Sequence, residues 1–204
     1  MKEMELYPKI DSIYKRYDNG KFKDEFSCEA FEYLKDNKWV FTEKIDGTNI
    51  RIGWDGKSIL IGGRTDRAQI PTHLSTFLQS HFRDELFSDY TDGITLFGEG
   101  YGFKIQNGGG YIPDGVGFIL FDVLIGKWWL KREDVESVAE QLKIPVVPII
   151  ESGTLSDACR IVMAGFDSRV GKCKAEGLVL RPAIELKERD GRRIITKVKT
   201  RDFL

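Results

Sequence analysis

Five short clusters in this 204-residue chain carry side chains suited to chemistry on phosphates. Thr42-Glu43-Lys44-Ile45-Asp46-Gly47-Thr48-Asn49 places a lysine at the end of a strand-like run, just before an Asp-Gly turn. A lysine is a nucleophile only as the neutral amine, so a reactive one needs burial or neighbouring cations to lower its pKa. Lys197-Val198-Lys199 offers two cations that strand alternation turns to one face. Arg64 follows Gly62-Gly63, where the backbone permits close approach and a guanidinium can grip a phosphate or a ribose. Glu99, in Phe97-Gly98-Glu99-Gly100, and Glu176, opening Glu176-Gly177-Leu178-Val179-Leu180-Arg181-Pro182, are acids set at the ends of apolar strands. Taken singly each has an ordinary alternative: a hairpin turn at Asp46-Gly47, a strand-end carboxylate, lysines defending a sheet edge.

These residues need strands to position them. Strand-like runs read as Trp39 to Ile45, Thr48 to Trp54, Ser58 to Arg64, Ile94 to Tyr101, Val116 to Ile125, Val146 to Glu151, Gly177 to Arg181 and Arg193 to Lys199. Asp46-Gly47 and Asp55-Gly56 suggest tight hairpins joining the first three, and Asp190-Gly191 a turn before the last. Helical periodicity appears at Leu74, Phe77, Leu78 and Phe82, at Val135, Val138, Ala139 and Leu142, and at Leu155, Ala158, Cys159, Val162 and Phe166, with Thr72 and Thr154 as candidate caps. Hairpin-linked strands with interspersed helices indicate an α+β fold of mainly antiparallel sheets flanked by helices, in one domain spanning residues 1–204. Asn107-Gly108-Gly109-Gly110 with Pro113-Asp114-Gly115 reads as a mobile loop; it matches neither a Walker A nor a dinucleotide fingerprint.

Composition narrows the function classes. Apolar residues are 41% and charged residues 31%, as in an ordinary folded protein, and no run approaches the ~20 apolar residues of a membrane span. The acidic start, Met1-Lys2-Glu3-Met4-Glu5, does not resemble a secretory signal. Three cysteines (Cys28, Cys159, Cys173) and two histidines (His73, His81) lack metal-ligand spacing and suit a reducing, cytoplasmic setting, the host cytoplasm if the source is viral. The net charge of −1 hides an asymmetry: Arg169 to Leu204 holds eleven Lys/Arg against five Asp/Glu, which leaves −7 for the first 168 residues. Such polarity suits phosphate binding by one region.

In order along the chain, the clusters resemble the nucleotidyltransferase motifs of ATP-dependent RNA ligases, especially the type that seals nicks in double-stranded RNA. Lys44-Ile45-Asp46-Gly47-Thr48-Asn49 is similar to motif I, Phe97-Gly98-Glu99-Gly100 to motif III and Phe121-Asp122 to motif IIIa. Glu176-Gly177-Leu178-Val179 is similar to motif IV and Lys197-Val198-Lys199 to motif V. The resemblance implies a nucleotidyltransferase (ATP-grasp-like) domain in which Lys44 takes AMP from ATP as a phosphoramidate, passes it to a 5′-phosphate RNA end and lets a 3′-hydroxyl seal the strand.

It further implies catalytic roles for Lys197, Lys199 and Glu176, and a divalent metal, Mg²⁺ or Mn²⁺, at Glu176 and Glu99. Glu99 would take the ribose hydroxyls, Arg64 the ribose-phosphate edge, and Phe121, with Phe118 as a rival, the face of adenine. Glu43 would lie at the adenine edge or its pocket, Ile45 beside the lysine, and Asp46 and Asn49 would orient the lysine loop and the phosphate. After Lys199 the chain shows neither an oligonucleotide-binding fold nor a helical end-recognition module, so a separate end-recognition partner is one expectation. A DNA nick ligase, a GTP-using capping-type nucleotidyltransferase and a non-catalytic RNA-end-binding protein are the alternatives; no membrane partner is expected.

Overall fold

Along Trp39-Val40-Phe41-Thr42-Glu43-Lys44, burial alternates strictly: Trp39, Phe41 and Glu43 are buried while Val40, Thr42 and Lys44 are half-buried. That period of two marks a strand with one face on a core. The structure is a computed structural model describing residues 4–107 and 110–203. Gly108 and Gly109, in the expected mobile loop, lie outside the described residues, as do residues 1–3 and 204.

The chain divides into two compact units, one made of Lys9–Ile45 with Pro148–Leu204 and the other of Met1–Pro8 with Asp46–Val147. The first holds a five-stranded sheet of β1 (Asp11–Ser12), β4 (Trp39–Lys44), β10 (Ile149–Gly153), β11 (Gly177–Pro182) and β12 (Thr196–Lys199), strands being numbered in chain order. Its order is β1-β12-β11-β4-β10, antiparallel except for β1 beside β12. A separate ribbon pairs β2 (Tyr14–Arg16) with β3 (Phe22–Phe26). One sheet face packs Trp39, Phe41, Leu178, Leu180 and Val198 against Leu155, Ala158 and Val162 of helix α4 (Leu155–Ala164) and against Phe31 of α1 (Glu29–Tyr33). Thr154 starts α4 with a capping box: its hydroxyl accepts from the Asp157 amide and Asp157 accepts from the Thr154 amide.

The second unit is an antiparallel sheet ordered β6-β5-β7-β8-β9, built from β5 (Thr48–Trp54), β6 (Ile59–Gly62), β7 (Ile94–Gly102), β8 (Val116–Ile125) and β9 (Trp128–Trp129). Ile50, Ile52, Leu96, Phe118 and Leu120 form its core with Leu74 and Leu78 of α2 (Thr72–His81) and Val135, Val138 and Leu142 of α3 (Arg132–Leu142). The mainly antiparallel α+β reading is therefore the observed fold class.

Several local expectations change. Asp55-Gly56 does close the β5–β6 hairpin, with Asp55 Oδ1 accepting from the amides of Lys57 and Ser58. Asp46-Gly47 closes none: β4 and β5 belong to different sheets. Thr72 is the first helical residue of α2 and Pro71 occupies the cap. The strand expected from Val146 begins at Ile149, while Val146 bridges Leu120; the strand expected from Arg193 begins at Thr196, after Arg193 bridges Lys187.

Gly98 sets the fit of β7 against β8. A Cβ there would lie 2.2 Å from the Phe118 ring and 2.5 Å from the Ile119 carbonyl oxygen. Gly98→Ala is expected to lower stability by about 1–3 kcal/mol through overpacking, read as a reduced urea midpoint.

Candidate active site

The register of the first sheet places the basic residues. Lys44 and Lys199 both lie opposite Gly177, and Thr42 and Lys197 both lie opposite Val179. Residues in one row share a face, so Lys44, Lys197 and Lys199 stand on the side away from the apolar core. Gly177 makes the row tight, since a Cβ there would lie 2.1 Å from the Val198 carbonyl oxygen. Between the two lysines sits Glu176, whose Oε2 accepts from Lys44 Nζ at 2.6 Å and whose Oε1 accepts from Lys199 Nζ at 2.5 Å. Its backbone oxygen also accepts from the Thr200 amide, and the Lys199 amide donates to Asp202, which Arg16 grips at 2.7 Å. Burial works to raise the Glu176 carboxyl, but the charge of Lys44, the hydrogen bonds from both lysines and the charge of Lys199 outweigh it and hold it below its usual 4.5.

Three of the four residues expected to be catalytic are thus joined by ion pairs, and the fourth, Lys197, shares their face. Glu43 lies on the opposite face of β4, 1% exposed, its carboxylate accepting from Ser168 Oγ (2.5 Å) and the Arg169 amide (2.9 Å). The pleat that points Lys44 outward buries its neighbour, and the Glu43 carboxylate anchors residues 168–169. Ile45 is buried as well.

The remaining expected residues belong to the second unit. Asn49 and Glu99 are direct register partners on β5 and β7, on the face away from that unit's core. Asn49 Oδ1 is buried without a hydrogen-bond partner among the described residues. Asp46 accepts from Asn107 Nδ2, and its amide donates to the Tyr111 hydroxyl. Phe118 is in the core, which removes it as the rival platform. Phe121 is half-buried at a β-bulge: Phe97 pairs with Asp122 and Gly98 with Leu120, which leaves Phe121 as the extra residue. Its ring meets Tyr7 edge-on at 5.0 Å, and Tyr7 donates to the buried Asp122 at 2.8 Å. Arg64 is exposed.

The sequence reading missed Arg51, which is fully buried. Its guanidinium donates to the Gly63, Met4 and Glu5 carbonyls and to Asp66 at 2.8 Å, holding the segment that leads to Arg64. Alternation from Asn49 was the signal available, because Arg51 is the next residue on that face. Tyr7 had none.

Metal coordination fits one way only. Among the described residues no group of three His, Cys, Asp or Glu side chains could hold an ion, and both Glu176 oxygens already bind lysines. Mg²⁺ commonly uses one or two carboxylates together with substrate phosphates. Glu176 therefore suits an ion that arrives on a polyphosphate, not a resident one.

The family model for RNA ligase matches residues 37–199, and the chain belongs to that family. Its fold is similar to solved forms of Naegleria gruberi RNA ligase. One, a variant with ATP and Mn, gives a TM-score of 0.66 at 22% identity over 97% of this chain and 64% of that one. The form with PPi gives 0.66 at 23% identity over 98% and 63%, and a variant with AMP and Mn gives 0.67 at 20% over 98% and 63%. This chain thus spans less than two thirds of those proteins. No curated protein matches it. No helix among the described residues is long and apolar enough to cross a membrane.

The Glu176 ion pairs generate a pH prediction. A carboxyl held low when folded contributes stability above its unfolded pKa, and that contribution is lost as pH falls through the folded value. Glu176→Gln is expected to cost about 2 kcal/mol near neutral pH, and the gap to wild type should close in acid. Urea titrations across pH check it; a gap that stays constant into acid refutes it.

Proposed function

We propose that this chain is the adenylyltransferase part of an ATP-dependent RNA ligase of the double-strand nick-sealing type, residues 1–204 working as one catalytic domain. The observation that carries the reading is the Lys44–Glu176–Lys199 ion-pair chain within the family-matched segment. In the first step Lys44 Nζ forms a bond to the α-phosphorus of ATP as the bond to pyrophosphate breaks, and the amine gives up its proton. A 5′-phosphate oxygen of RNA then takes the adenylyl group from Lys44, and a 3′-hydroxyl displaces AMP to seal the strand.

Each displacement gathers negative charge on phosphoryl oxygens, which Lys197 and Lys199 are placed to stabilise. Glu176 holds Lys44 in place through its ion pair. A divalent ion carried on the ATP phosphates, Mg²⁺ or Mn²⁺, would be held at Glu176 and would neutralise charge there. To the second unit the same reading gives nucleoside recognition: ribose at Glu99 and Arg64, adenine at Phe121, phosphate and lysine-loop orientation at Asn49 and Asp46. The partnerless buried oxygen of Asn49 supports it, since leaving such an atom unsatisfied costs about 1–3 kcal/mol that a ligand can recover. Three free thiols suit a cytoplasmic setting.

Incubation with α-labelled ATP and Mg²⁺, followed by a denaturing gel, tests the proposal. Label is expected on wild type and absent from Lys44→Ala, with Lys199→Ala slowed about 10²-fold. Label on Lys44→Ala, or none on wild type with either metal, sinks it; label from GTP alone moves the assignment to a capping-type enzyme.

A further inference from the structure

The first unit carries an open cleft of about 900 Å³ on the β12 side of its sheet. Lys9, Lys15, Arg16 and Lys21 enter it from the N-terminal strands and their connecting turn. From β12 and the short 3₁₀ helix after it come Lys197, Lys199 and Arg201. Against these seven cations the walls place two acids, Asp11 and Asp202. Asp202 is committed to Arg16 and Asp11 lies 3.5 Å from Lys9, while Lys15 pairs with Glu25. No ion pair of Lys21 or Arg201 is found among the described residues. Small-molecule pockets are mostly apolar and enclosed. This one is polar, open and mainly cationic, which suits a flexible polyanion held through its phosphates.

Its position adds direction. Lys199 lines the cleft and also binds Glu176, whose other oxygen binds Lys44. A phosphate chain lying in the cleft therefore ends one carboxylate away from the proposed nucleophile. Ser12 of β1 is in register with Lys197, so the N-terminal segment is built onto the strand that carries the two lysines.

We propose that this cleft, walled by the chain's own N-terminal ribbon and by β12, holds the phosphodiester backbone of the RNA strand presented to Lys44. The inference rests on the ligase reading, but it adds to the motif V lysines five cations outside the five motifs: Lys9, Lys15, Arg16, Lys21 and Arg201.

The test uses the full chain with Lys21 and Arg201 reversed in charge, K21E/R201E, and the milder K21A/R201A as a control for folding. A nicked RNA duplex is titrated at several salt concentrations, and ATP self-labelling is measured separately. Wild type should bind with a steep salt dependence. K21A/R201A should bind about tenfold or more weakly with a log–log salt slope shallower by about 1–2, K21E/R201E should bind weaker still, and both should label like wild type.

Unchanged RNA affinity in a folded K21A/R201A protein overturns the assignment, as does failure of wild type to bind. Loss of labelling with RNA binding retained would give the cleft to the nucleotide's phosphates and also overturn it. Absence of label on wild type sinks the ligase reading alone, because the RNA titration is read independently.

Discussion

One carboxylate between two ammonium groups is the interaction on which the site depends. Lys44 and Lys199 face each other across Gly177, and like charges brought to one site repel. Glu176 turns that repulsion into two short ion pairs. It can do so because Gly177, the next residue, lets β12 close on β11 with no side chain between them. The contact that positions Lys44 also engages its Nζ, since the Glu176 carboxylate accepts from it at 2.6 Å.

The other side of the same strand shows how one pleat separates two acids and bases that are neighbours in sequence. Glu43, adjacent to Lys44, is buried and satisfied by the Ser168 hydroxyl and the Arg169 amide, while the Arg169 guanidinium donates to the carbonyls of Ile149 and Ile150. This fastens the segment after α4 to both β4 and β10. The second unit uses the same device in reverse: a buried cation, Arg51, gathers three carbonyls and Asp66. Buried charges of this kind are costly to strip of their partners, so they define local geometry where apolar packing alone would permit sliding.

Periodicity made much of the fold legible. β5 and β8 have the bounds that alternation and apolar runs indicated, and α3 and α4 bury the residues whose spacing marked them, save Phe166, which lies beyond α4 and is half-buried. The strands before residue 27 escaped notice because Asp11–Ser12 and Tyr14–Arg16 are too short for any period to show. Asp46-Gly47 misled because a turn dipeptide reports local backbone preference and says nothing about whether the flanking strands pair. In the site, Lys44, Glu176 and Lys199 were legible from residue type and order. The bulge that exposes Phe121 was not, since an extra residue leaves no local signature, whereas the burial of Glu43 was implicit in the alternation of its own strand.

Net charge along the chain was legible in amount but not in placement. Of the basic excess after residue 169, Arg192 is neutralised by Asp190 and Glu188, and Lys174 by Asp167, all close in sequence. Such pairs in solvent add little to stability or to the field. Lys197, Lys199 and Arg201, on β12 and just beyond it, line the cleft, and four more cations come to it from residues 9–21, within the stretch whose sum is −7. A strongly basic surface can therefore be assembled from an acidic part of a chain. What matters is which cations the fold brings together, and here the parallel pairing of β1 with β12 sets the N-terminal segment beside the strand of Lys197 and Lys199.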